Sequence, residues 1–227
     1  MLSIEQIRHY PFFKGLSEDE LQMLAGCMTK RCFNKNAYIY HQGNPAINLY
    51  LIESGMVRLF FCNDTGNEFI MNLVGPGSVI GHSLAMNNQP RLLGAAAQLP
   101  TVLLSIPREN LLHILETSRQ LTFNLAIEFA EMQRKLLLHY QSFIMTGMEG
   151  RTALLLLHIG EGEKDELDLP ISQTELAGWL GISRGGLNRT LIRFQKLGLI
   201  CLEGSKIYIL DRERLAALAE GLPVTDL

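Results

Sequence analysis

Within residues 171–200, ISQTELAGWLGISRGGLNRTLIRFQKLGLI, the residues Arg184, Asn188, Arg189 and Arg193 stand at spacings of four, one and four. On a helix this gathers cationic and amide groups on one side. Such groups donate hydrogen bonds to base edges and phosphates, so the chemistry on offer is reading a DNA major groove. The elements that must hold them can be read around them. Ser172 with Glu175 forms a capping box, and Leu176, Trp179 and Leu180 follow at helical spacing. Gly181 supplies the left-handed residue that a sharp turn needs. Ser183 then caps a second helix whose apolar face is Leu187, Leu191 and Phe194. The pattern is a helix-turn-helix. An ordinary helical hairpin in a core is the alternative.

The chain of 227 residues is long enough for one or two domains with cores of their own. Its net charge of −3 excludes a polybasic, histone-like binder, so any affinity for nucleic acid has to be local. Over residues 171–210, Arg184, Arg189, Arg193, Lys196 and Lys206 face only Glu175 and Glu203, a local balance of +3. The four cysteines, Cys27, Cys32, Cys62 and Cys201, form no C-x-x-C pair and have no histidine cluster beside them. That pattern argues against a zinc site or iron–sulfur cluster and for scattered thiols in a reducing cytoplasm. No paired carboxylates, Ser/His/Asp grouping or metal spacing suggests an enzyme. No apolar run approaches 18 residues, and the N-terminus lacks a signal-type apolar core, so the expected location is the cytoplasm.

Taken in order, residues 3–30 read as short helices, with Pro11 interrupting and a capping box at Ser17 to Glu20 ahead of Leu21, Leu24 and Met28. From Arg31 to about Ser105 the texture turns to short strands: 37–41, 48–52, 56–62 with Val57, Leu59 and Phe61 on one side, 68–74 and 101–106. Glycine turns between them indicate an antiparallel barrel or roll. Asp64-Thr65-Gly66 matches an aspartic-protease tripeptide but occurs once, in a hairpin, and reads as a turn. Gly75, Gly77 and Gly81 miss the spacing of a dinucleotide fingerprint. A helix over 107–116 precedes the longest periodic stretch, about 118–145, in which Thr122, Leu125, Phe129, Met132, Leu136, His139 and Phe143 alternate by threes and fours. A helix of that length spans roughly 40 Å, more than one small barrel can cover. The seam therefore calls for a second copy of the chain, the alternative being packing within one chain. His139 reads as a packed residue rather than a metal ligand. Gly147 and Gly150 mark a hinge. A helix over 151–159 follows, then an acidic turn region over 160–169. Beyond the helix-turn-helix come a two-stranded wing over 199–210 and a closing helix capped by Asp211, with Leu215 and Leu218 inward.

This order resembles the Crp/Fnr family of bacterial transcription regulators. FFKGLSEDELQML is similar to the family's N-terminal helical segment, LYLIESGMVRLF with VGPGSVIG to its nucleotide-binding roll, and ISQTELAGWLGISRGGLNRTLIRFQKLGLI to its DNA-binding signature. The resemblance implies an α+β chain. It comprises an effector-sensing antiparallel β-roll of the double-stranded β-helix or jelly-roll type over 1–116, a dimerisation helix over 117–146 and a winged helix-turn-helix over 147–227. It also implies a homodimer on a palindromic operator, with RNA polymerase as a partner if the regulator activates. Ser172, Gln173 and Ser183 would then touch phosphates, Arg184 would read a guanine, and Arg189 would be the second basic reader. Asn188, Arg193 and Lys206 complete the expected DNA-binding set. Family members often follow this arginine with a glutamate that accepts from cytosine; here it is Gly185, so the half-site should differ at that base pair.

The resemblance also places a small-molecule effector between roll and long helix, touching His82, Ser83, Arg91, Leu136, Leu137 and Tyr140. Cyclic-nucleotide-binding members have a glutamate where His82 stands, and cyclic-AMP binders have hydroxyls where Leu136 and Leu137 stand. An apolar or aromatic acid, its anion on Arg91, fits these residues better than a cyclic nucleotide. A haem held through His82 is the other reading. The cysteine cluster of oxygen-sensing members is absent.

Overall fold

The structure is a computed structural model. It describes residues 2–63, 66, 68–82, 89–145, 147–159, 166–168, 172–204 and 206–222, with the backbone alone of 135, 138–145, 158, 166 and 168. Its contacts divide the chain into two compact units, Met1–Gln133 and Arg134–Leu227.

The first unit opens with α1 (Ile4–Arg8), a single 3-10 turn (Pro11–Phe13) and α2 (Glu18–Cys27). Ser17 and Glu20 cap α2 reciprocally, as the sequence suggests, and Leu21, Leu24 and Met28 are buried. The helical reading up to Lys30 is corrected: residues Thr29–Phe33 form β1, which pairs antiparallel with β8 (Thr101–Pro107). Two four-stranded sheets make the roll. In one the order is β1-β8-β3-β6, with β3 Asn48–Ser54 and β6 Val79–Ile80. In the other it is β2-β7-β4-β5, with β2 Tyr38–Tyr40, β7 Gly94–Ala97, β4 Val57–Cys62 and β5 Glu68–Val74. The expected alternation of Val57, Leu59 and Phe61 fails. A register shift between Leu59 and Phe60 turns the strand over, so Val57 and Phe60 are buried and Phe61 is exposed. Gly94 is where Phe60 crosses β7; a methyl there would enter the Phe60 ring.

Pro107 leads into α3 (Arg108–Thr117), and Ser118 caps α4 (Arg119–Met145) by accepting from Leu121 N–H at 3.1 Å. The first turns of α4 close the core of this unit. Leu121 and Leu125 join a buried cluster with Ile7, Phe12, Phe13, Leu24, Leu104 and Leu111, and Phe129 packs against it. Asn124 ties the N-terminal segment to the helix, donating at 2.9 Å to both Phe12 O and Lys14 O. This corrects the expected seam at two positions: Leu125, 4% exposed, and Phe129 are used by their own chain's core. Thr122 bonds Leu115 O at 2.9 Å. Met132 and Leu136 are exposed, and the side chains of His139 and Phe143 lie outside the described residues. On the other side of α4, Phe123, Ile127 and Leu137 are 62%, 46% and 61% exposed.

In the second unit α5 (Met148–Ile159) already includes Gly150, which is buried, so only Gly147 of the expected glycine hinge lies outside a helix. The expected acidic turn contains β9 (Glu166–Asp168), which pairs with β11 (Lys206–Ile209). The wing is thus three-stranded, β10-β11-β9, with β10 Ile200–Glu203. Leu167, 3% exposed, is the residue that draws this acidic segment inward. The closing helix α8 (Arg212–Ala219) is capped by Asp211, which accepts from Arg214 N–H at 2.9 Å, and buries Leu215 and Leu218. Among the described residues no helix is long and apolar enough to cross a membrane.

Candidate functional site

Two helices build the site, and the second carries its basic face. Helix α6 (Gln173–Leu180) starts at Ser172 and ends at Gly181, whose φ of 64° is left-handed. Helix α7 (Arg184–Lys196) starts at Ser183, which accepts from Gly186 N–H at 3.1 Å. Leu187, Leu191 and Phe194 are fully buried beside Leu176, Trp179 and Leu180. Arg184, Gly185, Asn188 and Arg189 therefore share the exposed side of α7, as the spacing suggests.

Three expected contact residues are engaged within the chain. Arg193 forms an ion pair of 2.7 Å with Glu149 at the start of α5, at the edge of the face. Ser172 gives its N–H and hydroxyl to Glu175 at 2.7 and 2.8 Å and accepts from Glu175 N–H, so its capping role consumes the groups expected to meet a phosphate. Lys206, in β11, is also engaged by a neighbouring group. Gln173 and Ser183 are exposed. Sequence reasoning passed over Ile192, 42% exposed in the middle of the polar face. Its spacing of four from Asn188 was the available signal.

In the roll, Gly81 has a φ of 81° and leaves no room for a Cβ because the Arg91 guanidinium lies against it. Arg91 is buried. It donates to Gly81 O at 3.0 Å and to Asn48 O, and lies 4.3 Å over the Tyr40 ring. Burial pulls its pKa down and pushes the Tyr40 phenol up to about 12. The expected anion clamp is thus mostly spent on backbone carbonyls, with Nε left unpartnered. His82 is 8% exposed, and neither ring nitrogen has a hydrogen-bond partner. Its ring meets Phe129 of α4 edge-on at 5.2 Å, and burial lowers its pKa, which favours the neutral imidazole. Ser83 and the Tyr140 side chain lie outside the described residues. Leu136 and Leu137 are exposed and belong to the other compact unit. No group of three metal-ligating side chains occurs among the described residues.

A roll with a buried, unpartnered histidine and a winged helix-turn-helix with an exposed basic face define a ligand-sensing DNA-binding protein. Residues 30–118 match the family model of the cyclic nucleotide-binding domain, and residues 150–218 that of the Crp-like helix-turn-helix domain. The chain is 28% identical over 212 residues to the "Cyclic AMP receptor protein" of Thermus thermophilus, covering 93% of this chain and 98% of that one. It is 28% identical over 201 residues to the "Transcriptional activator protein anr" of Pseudomonas aeruginosa, covering 84% and 80%. Among solved structures, FixK2 of Bradyrhizobium japonicum superposes with a TM-score of 0.77 at 22% identity over 87% of this chain and 98% of that one. The chain belongs to the Crp/Fnr family of transcription regulators, with a ligand-binding domain and a DNA-binding domain. Its relatives are regulators, not enzymes.

Proposed function

We propose that the chain is an effector-gated, sequence-specific regulator that binds a palindromic operator as a homodimer in the cytoplasm, meeting RNA polymerase where it activates. The observation that carries this is the α7 face: Arg184, Asn188 and Arg189 stand exposed on a helix-turn-helix in a chain of net charge −3. Residues 1–116 sense, 117–146 dimerise and 147–227 bind DNA. The dimer seam runs along Phe123, Ile127, Ala130, Arg134 and Leu137, spaced by fours and threes on the side of α4 that its own core leaves open. The half-site centres lie about 34 Å apart, one turn of DNA. A gel shift with DNA from the promoter of its own operon, with and without candidate ligands, tests the reading; no retained complex under any condition refutes it.

The effector is a small apolar or aromatic acid rather than cyclic AMP or cyclic GMP. Two observations support this. Arg91 gives its terminal amines to Gly81 O and Asn48 O, and His82, whose pKa burial lowers, stands where a sugar hydroxyl would need a carboxylate. A lost charged hydrogen bond costs about 1.5–3 kcal/mol, or ten- to a hundredfold in affinity. The unpartnered nitrogens of His82 and Nε of Arg91 are the polar anchors the ligand would satisfy. Binding acts by favouring one of two arrangements of the chain, and the His82–Phe129 contact links the site to α4. Micromolar binding of cyclic AMP in calorimetry overturns this reading. The free imidazole of His82 also suits an axial ligand of haem, which would supply gas binding. A Soret band lost in His82→Ala would establish that second reading.

A further inference from the structure

We infer that α7 reads A·T base pairs through Asn188 and Ile192, with Gly185 kept bare so that the helix can lie close to the base edges; the inference rests on the DNA-reading function proposed above. Three features of the helix point there. Its first turn is poor for stability: Arg184 puts a cation at the positive end of the helix, and two glycines, the weakest helix formers after proline, follow it. Gly186 has an internal reason, since a Cβ there would stand 3.1 Å from Met148 Sδ and 3.2 Å from Ser183 Oγ. Gly185 has none. A Cβ added to it meets nothing within 4 Å, and its φ lies in the ordinary helical range. The isolated fold would gain from alanine at 185, so the missing side chain serves something that approaches from outside.

The second feature is the row Arg184, Asn188, Ile192, each four residues from the next along the exposed side. The row covers about 12 Å of helix, the span of three to four stacked base pairs. Asn188 presents both a donor and an acceptor, the pair that matches adenine N6 and N7. Ile192, flanked by Asn188, Arg189, Arg193 and Lys196, is a branched apolar side chain left 42% exposed on an otherwise polar face. In a major groove its apolar counterpart is the thymine methyl. Third, α7 contains no aspartate or glutamate, so the face offers no carboxylate to accept from the cytosine amine. The readers available are thus two arginines suited to guanine, one amide suited to adenine and one methyl-sized apolar contact.

The test is affinity selection from randomised 30-base-pair duplexes with the purified full chain at about 10 µM, where weak effector-free binding is also captured. Selected half-sites are expected to carry an A·T pair beside the Arg184-dependent guanine. Asn188→Ala should relax that one position by about five- to a hundredfold and leave the guanine preference in place. Replacing the selected thymine by deoxyuridine should weaken wild type about fourfold, the worth of one methyl, and leave Ile192→Ala unaffected. Gly185→Ala should raise the thermal midpoint while weakening the selected site tenfold or more. Half-sites without A·T pairs, unchanged selection by Asn188→Ala and Ile192→Ala, or full binding by Gly185→Ala overturns the inference and leaves the regulator reading standing. Failure of wild type to enrich any sequence removes both.

Discussion

The two sides of α4 make opposite predictions for substitution. Phe123 is 62% exposed in the single chain, whereas Leu125, two residues on, is 4% exposed in the core of its own unit. A phenylalanine buries about 200 Å² when fully covered, so an interface over Phe123 removes about 120 Å² from water in each protomer. At about 25 cal/mol per Å² that is about 3 kcal/mol, counted twice in a symmetric dimer. Phe123→Ala retains Cβ, which leaves a loss of about 4 kcal/mol per dimer, or about a thousandfold in dimer dissociation constant. Its thermal stability, extrapolated to equal fractions of dimer, should barely change. Leu125→Ala should behave in the reverse way, costing about 2–5 kcal/mol of folding stability through the cavity it leaves, with a small effect on association of the folded chain. Sedimentation equilibrium from nanomolar to micromolar concentration, alongside calorimetric melting, separates the two. If Phe123→Ala dissociates like wild type while Met132→Glu yields monomers, the seam lies on the Leu125 side and the reasoning from burial is wrong. A wild-type monomer at all concentrations removes the dimer itself.

Other expectations follow from single contacts. Arg184→Ala should lose about 1–3 kcal/mol at one position of each half-site in a competition assay, whereas Arg193→Ala, which loses a surface ion pair with Glu149, should leave base preference unchanged. Burial holds the His82 pKa below its ordinary 6.5, so the unfolded chain takes up the proton first: stability should be complete above pH 6.5 and decline as the pH falls towards the depressed folded value, and His82→Leu should remove that component from a melting series. Gly94→Ala should lower the stability of the roll by about 1–3 kcal/mol in denaturant titration, because its methyl would enter the Phe60 ring.

The helix-turn-helix could be read to the residue because every signal there is local. Ser172, Gly181, Ser183 and Asp211 act on neighbours within four positions, and each holds the cap or turn its type implies. What escaped depends on partners far along the chain. β7, Gly94–Ala97, has no strand-forming residue, yet it is fully buried because β2 and β4 flank it on both sides. The Leu59–Phe60 bulge and the β9 pairing with β11 are likewise decided by partner strands. At the candidate sites, exposure of Arg184 and Asn188 followed from helical phase alone, but the ion pair between Arg193 and Glu149 joins residues 44 apart. The carbonyls that occupy Arg91 are likewise supplied by Gly81 and Asn48.

The long helix shows why periodicity can find an apolar stripe without telling what covers it. Two stripes on α4 have the same period: Leu125, Phe129, Met132, Leu136, and Phe123, Ile127, Ala130, Leu137. The first falls within the alternation by threes and fours from which the seam is read in the sequence. Hydrophobicity measures how strongly a stripe prefers burial, not what buries it. The nearest cover for Leu121, Leu125 and Phe129 is the cluster of Phe12, Phe13 and Leu104 in the same unit, which requires no second molecule and no loss of translational freedom. The first stripe is therefore consumed within the chain at its N-terminal end. The second stripe, with alanine at 130 and arginine at 134, is the one the proposed dimer would use. That composition suits an interface in which small residues allow close approach and one charged position restricts register. The stripe that packs on the roll is also the one that bears Phe129, the partner of His82. A ligand that moved His82 would therefore act first on the roll-facing side of α4, and the seam on the other side would follow only as far as the helix turns as a rigid rod.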